Sequence, residues 1–362
     1  MPGTTQLAGA QSNARGVGQP TYKRACNDTR PGHMNCDVLI ATGAQPDTAH
    51  GPADLEAAYN LPYLTKGQGQ VTAVVDAYDN PNALSDVAFY ASHFGLPTPN
   101  VLKYNQTGQQ SNYPQGNTGW GTEEDLDIEM MVAGCPNCKI LLVEANDNSN
   151  TNLEAAVAEA AKLGATVISN SYSGGGSNHS AYNIPGVTIL ASAGDGGYGI
   201  ADPADIPTVV SVGGTVLTQG GGTRGWTETV WQDTGSGCAG STDAKPKWEK
   251  AKWTPGCSNR VANDVSAVAA NTVVYDTYGA GGLITVAGTS ISSPLVGSIF
   301  GLAGNSTQQS GGKTFWEAKH HQFLFDITSG SNGQCSPAYL CNGEVGYDGP
   351  TGWGTPNGIG AF

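Results

Sequence analysis

The stretch GGLITVAGTSISSPLVGS, residues 281–298, sets Ser290 behind Gly288 and Thr289 and ahead of an apolar run of helical character. A serine held at the start of a helix by a Gly-rich turn is presented as a nucleophile. Its hydroxyl is weak until a neighbouring base takes the proton. Histidine is the usual base, yet the six His (His33, His50, His93, His179, His320 and His321) lie away from strand ends and Gly-rich turns. The carboxylates are better placed. Glu123 and Asp127 stand four apart at the start of a helical pattern, TEEDLDIEMMVAG (122–134), and so share one helix face. A plainer reading competes: an acidic first turn stabilises a helix N-terminus through the dipole, and Glu124 and Asp125 fit it.

These side chains need a scaffold, and the chain spells one out. Apolar strands alternate with helical patterns: VTAVVD (71–76), ALSDVAFYASHFG (83–95), KILLVEA (139–145), NLEAAVAEAAKLG (152–164), ATVISNS (165–171), VTILASAGD (187–195) and TVVSVGGT (208–215). Buried Val/Ile runs between helices predict an α/β fold, a mostly parallel central sheet with helices on both faces. Sites in such sheets form beyond the carboxyl ends of the strands. Asp76 and Asp195 fall at such ends. Residues 1–51 are polar and Gly/Pro-rich, an N-terminal extension lying on a main domain of residues 52–362.

Composition narrows the function. Among 362 residues there are 52 Gly, only 13% are charged, and the net charge is −14. An acidic surface argues against nucleic acid. No run approaches the length of a membrane span, and the first residues lack the apolar core of a signal peptide. Eight Cys allow on the order of 100 pairings, but they come as near neighbours: Cys26 with Cys36, Cys135 with Cys138, Cys238 with Cys257, Cys335 with Cys341. Local disulfides and an oxidising compartment are the expectation. The CPNC at 135–138 follows a helix instead of opening one, which favours a structural bridge over a redox pair.

Taken together, the motifs resemble the sedolisins, serine-carboxyl peptidases on a subtilisin-like scaffold. VTAVVDAYD resembles the strand that carries the subtilisin Asp. TEEDLDIEMMVAG stands where the His-bearing helix would be, with the E-x-x-x-D pair in place of His. ASAGDGG carries Asp195 where subtilisins carry an oxyanion Asn, and GTSISSP resembles the serine motif; FDIT and GYDGPTGWGTPNG match as well. The resemblance spans roughly residues 52–362 and implies roles. Ser290 is the nucleophile, Glu123 the general base and then acid, and Asp127 orients Glu123. Asp195 donates to the oxyanion beside the Ser290 N–H, and Asp76 supports Asp127. It also implies one structural Ca²⁺, held by Asp326 and Asp348 and the carbonyls of Ile327, Glu344 and Gly346, with Glu344 departing from the family's usual Gly. It implies a secreted, monomeric endopeptidase acting on proteins or peptides in acid. SYSGGGS (171–177) is either an edge for extended substrate or a plain loop. Sedolisins usually carry a large prosegment, for which residues 1–51 are too short. Two other readings stay open: a silent secreted homologue that binds protein or polysaccharide, and a neutral subtilase that recruits a His.

Overall fold

The computed structural model describes residues 21–44, 46–306 and 311–362. Its centre is an eight-stranded sheet. Six strands run in the order β10 (Val210–Gln219), β9 (Thr188–Ser192), β7 (Val167–Asn170), β4 (Val71–Ala77), β6 (Lys139–Ala145) and β5 (Asn100–Asn105), and all are parallel. The far edge of β10 is shared. β14 (Val265–Val268) pairs with it in parallel, and β11 (Trp226–Val230) pairs antiparallel further along. The central strands are buried along nearly their whole length, as the near-continuous apolar runs require.

Helix α3 (Thr118–Gly134) packs against both α2 (Ala83–His93) and α5 (Thr289–Ala303), while α4 (Asn150–Lys162) covers β4, β6 and β7. One detail of the winding matters for the site. The chain passes from β4 through α2 to β5 in one direction across the sheet, then back from β5 through α3 to β6. Yet α2 and α3 lie against each other. Opposite directions on a shared face demand opposite hands, so one of these crossovers has the rare left-handed sense. The result is that α3 lies beside α5, and the acidic helix meets the serine helix.

Residues 21–51 are woven into the molecule. β1 (Thr21–Arg24) pairs with β3 (Leu39–Thr42), and β3 pairs with β16 (Gly282–Ala287), which pairs in turn with β15 (Thr272–Asp276). β2 (Asn35–Cys36) joins β8 (Tyr172–Ser173). The rest of the proposed extension, residues 1–20, lies outside the described residues. Helix α1 (Pro52–Tyr59) follows, with Pro52 at its first position. Short pairs β12 (Gly237–Cys238) with β13 (Val261–Ala262), and β17 (Leu324–Phe325) with β18 (Thr355–Pro356), tie the C-terminal half. The four local disulfides expected from the Cys spacing are all formed.

Candidate active site

β16 runs directly into the turn that presents Ser290. Gly288 caps α5 at φ +139°, a conformation open to glycine, and a Cβ there would stand 1.9 Å from the Asp37 carbonyl oxygen and 2.9 Å from Asp195 Oδ2. No side chain caps α5, so its first N–H groups are left for other acceptors. Thr289 N–H and Thr289 Oγ1 both donate to Asp195 Oδ1, at 2.8 and 2.9 Å. Asp195 Oδ2 and the Ser290 hydroxyl are buried without a partner. Ser292 and Ser293 pin the helix, Ser292 Oγ donating to the Ala267 and Val268 carbonyls and Ser293 sharing a 2.8 Å bond with Ser169.

Helix α3 starts earlier than the sequence pattern suggests. The Asn117 side chain accepts from the N–H groups of Gly119 and Trp120 at 3.0 and 3.1 Å, so Thr118 is the first helical residue. Glu124 and Asp125 are therefore not first-turn acids. Both are fully buried, as are Glu123, Asp127 and Glu129, and the dipole reading of Glu124 and Asp125 gives way. Glu123 and Asp127 share the face toward Ser290, and Asp76 joins them from the carboxyl end of β4. None of their six carboxyl oxygens has a donor at full hydrogen-bond geometry, although the Ser290 hydroxyl approaches Glu123 and the Ser171 hydroxyl approaches Asp127. Burial, then the fields of Asp127 and Asp76, push Glu123 well above its usual range, against a smaller lowering by the Ser290 hydroxyl. Burial and Asp76 do the same to Asp127, which Ser171 eases. Burial lifts Asp76 to about 8. Carboxyls packed this way hold protons among themselves and titrate as a unit. Burial and Asp37 also raise Asp195, so its free Oδ2 has the character of a donor.

Sequence reading missed Asp37 and Arg24. Asp37 is fully buried, and its carboxyl accepts from Ser173 Oγ at 2.7 Å and Ser192 Oγ at 2.8 Å. Arg24 Nη2 donates to the Asp195 carbonyl at 2.6 Å. Both arrive through the hairpin closed by Cys26–Cys36, with Asn35 opposite Ser173 and Cys36 opposite Tyr172. The start of SYSGGGS is thus a paired edge whose partner is the chain itself. Asp37 directly follows a disulfide Cys, but nothing in the spacing of a polar N-terminal stretch points to a site so far along the chain.

No histidine joins this cluster. His50 bonds the Leu217 carbonyl, His179 faces Asp202 and Asp243, and His33 bonds the Pro31 carbonyl. His320 lies by Glu317, His321 stacks on Trp353, and His93 stacks on Phe89.

The C-terminal loop gathers the other predicted residues. Asp348 is buried, accepting from Glu344 N–H and Thr351 N–H, each at 2.9 Å; Asp326 accepts from Gly346 N–H at 2.9 Å. The Ile327 carbonyl borders Gly343, 3.1 Å from where a Cβ would sit. Burial and the neighbouring Asp326 raise Asp348 to about 7. Two carboxylates and backbone oxygens without a base between them suit a hard cation.

These upward shifts fix how stability depends on pH. A carboxyl with a raised folded pKa binds protons more tightly in the folded chain than in the unfolded one. Its contribution is complete below the ordinary value near 3.8–4.5 and is lost as pH rises through the folded value. The folded values are about 6 for Asp37 and about 8 for Asp76, Glu144 and Asp205. We expect the melting temperature to fall from about pH 4 to about pH 8. A melting temperature that climbs across that window in calorimetry would contradict the buried-proton account.

Comparison with known proteins agrees with this architecture. Residues 108–339 match the profile of the Subtilase family. Kumamolisin of Bacillus sp. (strain MN-32) is 29% identical over 353 residues, covering 86% of this chain and 63% of that protein. Sedolisin of Pseudomonas sp. (strain 101) is 25% identical, covering 94% and 65%. The chain thus spans less than two thirds of the length of these relatives. The solved structure of Pseudomonas sedolisin, a serine-carboxyl proteinase complexed with two molecules of pseudo-iodotyrostatin, superposes with a TM-score of 0.71. Its sequence identity is 24%, with 86% of this chain and 96% of that one covered. The chain belongs to the subtilase family, in the sedolisin branch that these relatives represent.

Proposed function

We propose that this chain is a serine-carboxyl endopeptidase that hydrolyses peptide bonds in acid through an acyl-enzyme on Ser290. One observation carries the reading: three buried carboxyls without a donor at full hydrogen-bond geometry, Glu123, Asp127 and Asp76, adjoin a buried serine hydroxyl at which no His stands. Ser290 Oγ attacks the scissile carbonyl carbon while its proton passes to Glu123. The tetrahedral oxyanion receives the Ser290 N–H and the proton-bearing Oδ2 of Asp195. When the C–N bond breaks, Glu123 returns the proton to the leaving amine. Water then adds to the acyl carbon, giving a proton to Glu123, and the ester bond to Ser290 breaks as its oxygen is reprotonated. Asp127 and Asp76 hold a proton against Glu123 and so keep one charge in the cluster. A carboxylate suits acid because a His would already be charged there.

Substrates would be proteins or peptides. One that pairs with β8 must take the place of Asn35 and Cys36. Four disulfides and the family's habit favour a secreted monomer. A second reading, a silent homologue that binds protein or polysaccharide, draws on the full burial of Ser290, in a turn whose Gly288 lies against the chain's own Asp37. Digestion of a peptide library across pH, with products read by mass spectrometry, decides between them: new cleavage products in acid support the peptidase, and none at any pH supports the silent form.

In this reading Asp326 and Asp348, with the carbonyls of Ile327, Glu344 and Gly346, hold one structural Ca²⁺. A cation bound only by the folded state stabilises it by about 2.7 kcal/mol at a free concentration ~100 times Kd. Above neutrality, where a proton no longer competes with the cation for Asp348, chelation and Asp348→Ala should each lower the melting temperature. Indifference to both would remove this site.

A further inference from the structure

A second acidic cluster lies on the side of α3 turned away from Ser290. At 100° per residue, Asp125 and Glu129 share a face that points away from Glu123 and Asp127. Against that face pack α2, carrying Asp86, and β15, ending in Asp276. One carboxyl oxygen from each of Asp86, Asp125 and Asp276 lies within 4.8 Å of the others, and all three residues are buried. Glu129 borders the group: its Oε2 accepts from the N–H of Tyr275, next to Asp276, at 2.9 Å, and it feels the fields of all three Asp.

The donors around these carboxyls are all neutral. Asn80 Nδ2 donates to Asp125 at 2.8 Å, Thr122 Oγ1 and Gly279 N–H to Asp276 at 2.6 Å each, and Thr277 N–H and Oγ1 to Asp86 at 2.8 and 2.9 Å. The nearby base, Lys103, is engaged by Asp79 and Glu144. Two oxygens, Asp125 Oδ1 and Glu129 Oε1, are fully buried in the cluster with no partner at all.

We propose that Asp86, Asp125, Asp276 and Glu129 form a site for a divalent cation of the calcium class, separate from the C-terminal loop. Calcium bonds to carboxylate oxygen at about 2.3–2.6 Å, so one ion bridges oxygens up to roughly 5 Å apart. The two orphaned oxygens become ligands, and the neutral hydroxyl and amide donors orient the carboxylates from behind. The ion would tie α2, α3 and β15 together beneath the cleft. Protons shared among the four carboxyls are the competing explanation. The site stands whether or not the chain cleaves peptides.

The experiment counts Ca²⁺ per chain by elemental analysis after equilibration near neutrality. Asp125→Asn keeps the shape and the bond from Asn80 but removes a charge, and Glu129→Gln serves if that variant does not fold. Each should bind one ion fewer than wild type. A chain carrying Asp348→Asn, with the C-terminal site disabled, should still bind one. The proposal is overturned if the folded variant holds as many ions as wild type, or if the Asp348→Asn chain holds none, which leaves shared protons as the explanation. Loss of an ion on Asp348→Asn alone, with none lost on Asp125→Asn or Glu129→Gln, supports the C-terminal site and overturns this one.

Discussion

Ser290→Ala is expected to abolish peptide hydrolysis and to leave the fold standing. Both halves follow from the same fact. The hydroxyl is buried at the second residue of α5 and makes no hydrogen bond, so removing it breaks no partner and opens little space. In the proposed reaction its role has no substitute, because the other buried serines of the helix are committed: Ser292 to the Ala267 and Val268 carbonyls, Ser293 to Ser169, and Ser298 to the Leu295 carbonyl. Loss of an activated nucleophile costs on the order of 10⁶ in kcat. Peptide turnover and a thermal melt check the two halves together, and a variant that melts normally and still turns over at the wild-type rate would remove Ser290 from the reaction.

Glu123→Gln is the second large effect, and its neighbour is the control. Gln keeps the shape of a protonated Glu but cannot take a proton from Ser290. Activity should fall on the order of 10⁴-fold or more, as when a base that acts as one unit with its nucleophile is lost. Glu124 sits on another face, accepting from Asn80 N–H at 3.2 Å beside Glu144. Burial, then the fields of Glu144 and Asp76, hold its carboxyl well above the usual range, which favours the neutral form that Gln imitates. Glu124→Gln should keep activity within a few-fold. Rates for the two variants on one peptide settle the matter: equal losses, or the larger loss at Glu124, would mean that the wrong face of α3 serves the serine.

What could be read in the sequence was what the chain encodes locally. The Gly-Thr-Ser turn, the Asp at the end of β4 and the near-neighbour Cys pairs each need only a few adjoining residues. The α/β alternation was equally plain, because each buried strand is a continuous apolar run. The start of α3 was misjudged because its cap, Asn117, precedes a Gly-Trp-Gly stretch with no helical period of its own. Asp37 was invisible for a different reason. It reaches the site through the β2–β8 pairing and the β3–β16 pairing, both formed between residues far apart in the chain. In the sequence Asp125 fits a helix-dipole acid and nothing singles out Asp86; only the packing of α2 and β15 on α3 brings them together in the interior.

The dependence of kcat/KM on pH for one peptide, from about pH 2 to about pH 8, spanning the ordinary carboxyl and imidazole values, tests the account most directly. In the proposed mechanism the cluster of Glu123, Asp127 and Asp76 supplies a base by releasing a single proton, and Asp195, raised by burial and Asp37, keeps the proton with which it donates to the oxyanion. As pH rises, further charge gathers in the cluster and Asp195 turns from donor to repelling carboxylate, a loss of about 10²–10³ for one oxyanion donor. The account predicts activity in acid that rises as the cluster loses its first proton and declines toward neutrality, with the declining limb displaced upward in Asp195→Asn, whose amide donates at every pH. An enzyme silent throughout acid, with activity rising through about 6.5 as an imidazole loses its proton, would contradict it.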